Sequence, residues 1–220
     1  FFRMGDFYEM FGEDAVMAAP ILGIALTSRS HGNSERIPLA GVPYHSAERY
    51  LAKLLAAGHK VVVVEQVEDP KTAKGIVKRE VVEILTPGTA TIDTMDDPLR
   101  TLCLAAVYTH DQKTVGVATL DLSTGAFRVD EGPLIETLER LRISEPNEIL
   151  HPDSLDKEFV TRYLVPSARN VLLTPIEGWQ FDVSSAERDL TELLGTSTLE
   201  GFGVRDCPLA VASAGAIVRY

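Results

Sequence analysis

The stretch GDFYEMF sets Phe7, Tyr8 and Glu9 side by side. A large apolar ring next to a carboxylate has a definable use. The ring can stack on a planar aromatic system while the carboxylate meets hydrogen-bonding groups at that system's edge. Such a pairing suits a wedge driven into a stack of bases from the minor groove. Plainer readings compete with it. Asp6 with Glu9 three residues later has the spacing of a capping box, which predicts a helix starting near Phe7. On that helix Phe7, Met10 and Phe11 would share a face and could pack inward.

Other residues could carry chemistry of a different kind. Arg29 and Arg36, and Lys71, Lys74, Lys78 and Arg79 in PKTAKGIVKRE, gather in loops of the first half. Flexible cations near glycine are what backbone contacts to DNA require, although Glu68, Asp69 and Glu80 lie among them and a solvated face would look the same. The five histidines are scattered without metal-ligand spacing and are expected at the surface or in turns. Cys103 and Cys207 stand far apart without companion ligands, which points away from a disulfide framework or a zinc ribbon. Asp121 is the single strand-centre carboxylate worth weighing for a metal-dependent nuclease, which needs several. No GxxxxGK[ST] occurs, so these 220 residues are not expected to hydrolyse nucleotide.

The elements that must position these residues follow from patterning. The chain is 45% hydrophobic and 24% charged, as for a globular protein of one large or two ordinary domains. Its formal charge of −11 argues against a nucleic-acid partner until it is divided. Residues 1–88 hold 10 Lys+Arg against 11 Asp+Glu and residues 89–220 hold 11 against 21, so only the first half suits phosphates. After the opening helix, a strand is expected at Ile24 to Thr27. A helix capped by Ser46 should follow, with Ala47, Tyr50, Leu51, Leu54 and Leu55 on one face and Gly58 as its stop. KVVVVEQ has the β-branched continuity of a strand buried on both faces, and REVVEILT is a further strand. This predicts a small mixed α/β domain over residues 1–86 and a linker over 87–98. A second domain over 99–220 follows, with three antiparallel strands (LCLAAVYT, TVGVATLDLS, AFRVD) and then helix, strand, helix, strand and helix. That order suggests a ribonuclease-H-like layout. The start lacks a signal peptide, no apolar run is long enough for a bilayer span, and a cytoplasmic setting without membrane attachment is expected. The abrupt ends suggest a piece of a longer protein.

FFRMGDFYEMF, IPLAGVPYHSAERYLAKLLAAGHKVVVVEQVEDP and VKREVVEILTPGT, continued by LDLSTGAF and GFGV, together resemble the amino-terminal part of the MutS family of DNA mismatch repair proteins, in its bacterial form. The resemblance spans essentially the whole chain. It implies a mismatch-recognition domain followed by a ribonuclease-H-like connector without nuclease activity. Phe7-Tyr8-Glu9 matches the family's Phe-X-Glu motif, so Phe7 is expected to stack on a mispaired or unpaired base and Glu9 to hydrogen-bond it, carrying a proton where it donates to a base nitrogen. Met4 matches a position that packs against the disturbed pair, and Arg79 one near the DNA. Arg29, Lys74 and Lys78 are added as phosphate contacts from charge and loop position. The family's clamp, lever and ATPase domains are absent from these residues. ATP with magnesium, a second copy of the chain and a MutL-like partner are therefore expectations for the full-length protein, with mismatched duplex DNA as ligand. Two other functions remain open at this point: a metal-dependent nuclease using Asp121, and a docking role for the acidic second half.

Overall fold

A computed structural model describes residues 1–29, 36–68, 75–89, 102–165 and 171–220. Lys71, Lys74, His31 and most of the expected linker lie outside them. The chain divides into two compact units, Phe1–Arg100 and Thr101–Tyr220.

The first unit is a six-stranded mixed sheet in the order β3-β4-β2-β1-β5-β6 with two helices. Strand β1 (Phe2–Met4) turns through Gly5 and Asp6 into β2 (Phe7–Phe11). Gly5 has φ +60°, a conformation that L side chains rarely adopt and a two-residue hairpin turn with glycine first requires. Residues 7–11 are thus a strand, not the expected helix. The helix, α1 (Gly12–Leu22), starts after them with Glu13 and Asp14 in its first turn. The Asp6/Glu9 spacing satisfied a local rule. The pairing of β2 with β4 (Ile37–Pro43), which joins Phe7 to Pro43 and Phe11 to Leu39, outweighs it. Strand β3 is Thr27–Arg29, a few residues later than expected, and pairs with β4 at the sheet edge.

Helix α2 (Ala47–Ala56) buries the five apolar residues that its spacing singles out. Ser46 occupies its N-cap position but makes no capping bond; its hydroxyl donates instead to the Pro43 carbonyl at 3.2 Å. Strand β5 (Val61–Gln66) buries Val61 and Val63 and exposes Val62, so it is covered on one face and not on both. Its neighbour β6 (Arg79–Leu85) is exposed along most of its length.

The second unit is a five-stranded sheet in the order β11-β10-β7-β8-β9. Strands β7 (Cys103–Tyr108), β8 (Thr114–Asp121) and β9 (Ala126–Pro133) form the antiparallel meander, and β10 (Glu148–Pro152) and β11 (Leu172–Ile176) add in parallel on the other side of β7. This is the ribonuclease-H-like order. On one face α3 (Leu134–Ile143) packs with Phe159 and Leu164 over Ala105, Val107, Val115 and Val117. Phe159 closes the short helix α4 (Lys157–Phe159), and one π turn, Val160–Leu164, completes the segment where a longer helix was expected. On the other face α5 (Val183–Leu194) and α6 (Pro208–Arg219) cover Leu104, Ala106, Ala118 and Leu150.

Helix α6 lies so close to β8 that a Cβ at Gly116 would overlap the backbone of Leu209 and Ala210. Two polar contacts fix that approach. Ser213 Oγ donates to the Gly116 carbonyl at 2.9 Å, and Glu131 on β9 accepts the backbone N–H groups of Leu209 and Ala210 at 2.8 and 3.0 Å. His151, expected at the surface, is buried on β10, with Nδ1 2.9 Å from the Pro152 carbonyl. No helix among the described residues is long and apolar enough to cross a membrane.

Candidate nucleic-acid interface

Because β2 is a strand, its side chains alternate: Tyr8 and Met10 are buried, and Phe7, Glu9 and Phe11 share the other face. Phe7 leaves 47% of its surface exposed. The register sorts this face into rows, since directly paired residues of adjacent strands point to the same side. Met4, Phe7 and Pro43 form one row, Phe2, Glu9 and Gly41 the next, and Phe11, Leu39 and Thr27 the third. The face remains apolar beyond them, with Ile37, Val62, Val81 and Ile84 all exposed. Gly41 matters for access to Glu9. A Cβ on it would lie 3.6 Å from Glu9 Cγ and 3.9 Å from Phe7 Cδ1, so alanine fits in ordinary contact while a longer side chain would cover both residues.

The buried side of the hairpin holds the exposed side in place. Tyr8 donates its hydroxyl to Glu65 on β5, and burial first, then that carboxylate, pushes the phenol up to about 12, keeping it a donor at neutral pH. Arg3, paired with Tyr8 across the hairpin, lies 3.6 Å from Glu65 and stacks its guanidinium over the Tyr44 ring at 3.6 Å. Phe2 meets Phe11 edge to face at 6.2 Å. Phe7 thus projects from a braced hairpin and is not itself part of the bracing.

The basic residues sort differently from one another. Arg79 lies over the Phe2 ring at 5.4 Å and donates to the carbonyls of Arg3 at 2.8 Å and Val77 at 2.7 Å, which makes it a brace between β1 and β6 at the margin of the face. Lys78 is exposed and paired with Glu80 at 2.5 Å, and that carboxylate, by hydrogen bond and charge, raises its pKa. Arg29 extends from β3 toward Glu9, with Nη1 3.7 Å from Glu9 Oε2. That distance is an ion pair and not a hydrogen bond, and Oε2 is buried without a hydrogen-bond partner among the described residues. The structure therefore brings Met4, Phe7, Glu9 and Arg29 onto one face, with Arg79 at its margin. Lys78 stands apart, and Lys74 lies outside the described residues. Phe2, Phe11 and Gly41 belong to the same face and go beyond the residues expected from sequence; the alternation F-Y-E-M-F is a signal for Phe11, whereas Phe2 and Gly41 join only through strand pairing.

Asp121, the nuclease candidate, ends β8 in a turn. Its Oδ1 accepts from the Ser123 hydroxyl at 2.5 Å and backbone N–H at 2.9 Å, and these bonds, the hydroxyl first, hold its carboxyl below the usual range. Among the described residues no group of three or more His, Cys, Asp or Glu could hold a metal ion.

Comparison with known families agrees with the two-unit division. Residues 1–94 match the family model for MutS domain I, and residues 102–220 match that for MutS domain II. Neither is the domain that carries the family's ATPase.

Proposed function

Since the chain belongs to the MutS family of mismatch repair proteins, we propose that its first unit detects mispaired or unpaired bases in duplex DNA by lodging Phe7 in the base stack from the minor groove while Glu9 hydrogen-bonds the edge of the displaced base. The observation that carries this reading is the placement of Phe7, half exposed, and Glu9 side by side on one open face of β2. Met4, opposite Phe7 in the hairpin, would back the ring against the disturbed pair.

The minor groove distinguishes base pairs poorly, so a mismatch is hard to recognise there by its pattern of donors and acceptors. It is recognisable as softness. Unstacking a base step costs a few kcal/mol, and less where pairing is already defective, so a wedge partitions to the weak site. Glu9 sharpens the choice. Its carboxylate is repelled by phosphates along any duplex and is compensated only where a base offers it a hydrogen-bond partner, which penalises perfect DNA. Lys78 can approach phosphates once it leaves Glu80, and Lys74 belongs to the same loop sequence. In this reading the ATP- and magnesium-dependent step, pairing with a second copy and hand-over to a MutL-like partner are properties of the full-length protein.

The test is fluorescence anisotropy of the full-length protein and its Phe7→Ala variant on matched and mismatched duplexes. The mismatch preference should collapse toward the matched level in Phe7→Ala. Retention of that preference would refute the wedge.

A further inference from the structure

Arg29 and Glu9 approach each other from different strands. Arg29 pairs with Ile37 on the edge side of β4, and Glu9 with Gly41 on the inner side, so β4 runs between them. At about 3.3 Å per residue along a strand and about 4.8 Å between strands, their backbones stand on the order of 16 Å apart. Only two side chains stretched toward each other close that span to 3.7 Å. On that diagonal the β4 residue between them is Leu39, whereas Gly41, on the row of Glu9, leaves the stem of Glu9 free to lean over β4. Exposure is unequal: 51% of the Arg29 side chain is accessible against 15% for Glu9.

The contact also stops short. A charge-assisted Arg–carboxylate pair ordinarily closes to hydrogen-bond distance, whereas here Oε2 is enclosed and accepts no hydrogen bond from the described residues. The pull on it is electrostatic alone. The Glu9 side chain as a whole keeps 15% of its surface accessible.

We propose that Arg29 is a specificity-determining positioning residue: its charge draws Glu9 Oε2 over β4 toward the Leu39 row, and thereby leaves Oε1 as the oxygen on the Phe7 side, aimed at a base edge. This rests on the reading of Phe7 and Glu9 given above, and it differs from a phosphate contact in what can be measured. A phosphate contact raises affinity for every duplex alike and steepens the salt dependence, since each neutralised phosphate releases counterions. A residue acting through Glu9 changes the ratio of mismatched to matched binding and needs Glu9 to do so. Because no hydrogen bond is involved, a lysine that supplies the same charge should serve.

The experiment measures binding of the full-length protein to matched and mismatched duplexes over a range of salt, for Arg29→Ala and Arg29→Lys, each with Glu9 present and with Glu9→Ala. Strand β3 is exposed throughout, so these substitutions should leave thermal unfolding unchanged. Arg29→Ala should lower the mismatch-over-match ratio several-fold when Glu9 is present, leave it unchanged when Glu9 is alanine, and keep the salt slope. Arg29→Lys should restore most of the ratio. A uniform loss on both duplexes in both backgrounds, with a salt slope shallower by about one, would overturn the proposal, as would an unchanged ratio with Glu9 present. Phe7→Ala serves as the reference. If it keeps the mismatch preference, the wedge reading has failed; if it loses the preference while Arg29→Ala does not, only the role of Arg29 falls.

Discussion

Strand β7 of the second unit is buried at five of its six positions, whereas strand β2 of the first unit buries only every second residue. Helices cover both faces of the second sheet, and the open face of the first carries Phe2, Phe7 and Phe11 toward solvent. A sheet covered on both sides spends its apolar residues on stability. One left open on one side holds apolar residues that contribute little to folding and remain available for binding. On this contrast, loss of a buried β7 side chain should unfold the second unit, whereas loss of an exposed β2 ring should leave the first unit folded.

The largest effect expected on this basis is in the second unit. Gly116→Val forces a side chain into the backbone of α6 at Leu209 and Ala210, and overpacking of this kind costs about 3 kcal/mol or more. Scanning calorimetry should show a fall of roughly 10 °C in the melting of that unit. An unchanged melting temperature would mean that α6 does not sit where described. Phe7→Ala tests the opposite side. Its stability should change by less than about 0.5 kcal/mol, as for a surface site, while mismatch binding loses about 1–3 kcal/mol, the usual worth of an aromatic platform under a base. Unfolding of the first unit in that variant would make Phe7 a structural residue.

Glu9→Gln is subtler. The amide still offers a hydrogen bond but no longer repels phosphates, so matched-duplex affinity should rise by about 1 kcal/mol, roughly fivefold, and discrimination should shrink. Matched-duplex affinity equal to wild type would remove the electrostatic filter from the account. The smallest effect is at Asp182, the N-cap of α5, whose carboxylate accepts from the Ser185 N–H at 2.8 Å. That bond holds its pKa below the ordinary 3.8, so its contribution is complete above that value and is lost as pH falls through the lower folded-state value. Asp182→Ala should therefore lower the melting temperature slightly at neutral pH, and the gap from wild type should close in strong acid. A gap that persists there would assign the effect to something other than the charged cap.

Periodicity sustained over many residues was legible in the sequence, and spacing shared by two rules was not. The apolar stripe of α2 and the meander β7-β8-β9 stand where the pattern predicts them, because each repeats its signal several times. Residues 7–11 were misjudged for the converse reason. Five residues of alternation are a brief signal, the Asp6/Glu9 interval fits a capping box equally well, and the strand is decided by partners some thirty residues away on β4. Phe7 and Glu9 stand out as candidates from residue type alone, and the strand brings them onto one face. That Arg29 reaches Glu9 is not legible in the sequence, because the pair exists only once β3, β4 and β2 lie side by side. His151 was misplaced because an isolated histidine carries no signal of burial.

The hairpin turn at Gly5-Asp6 has an evolutionary corollary. Phe7 and Glu9 are separated by one full period of a strand, so the site obeys a parity rule. Adding or deleting a single residue in that turn, with the β1 register kept, would bring Tyr8 and Met10 to the open face and send the ring and the carboxylate into the core. A two-residue change would only slide them along it. Lineages carrying this hairpin should therefore tolerate substitutions at Asp6 freely, and length changes only in even steps.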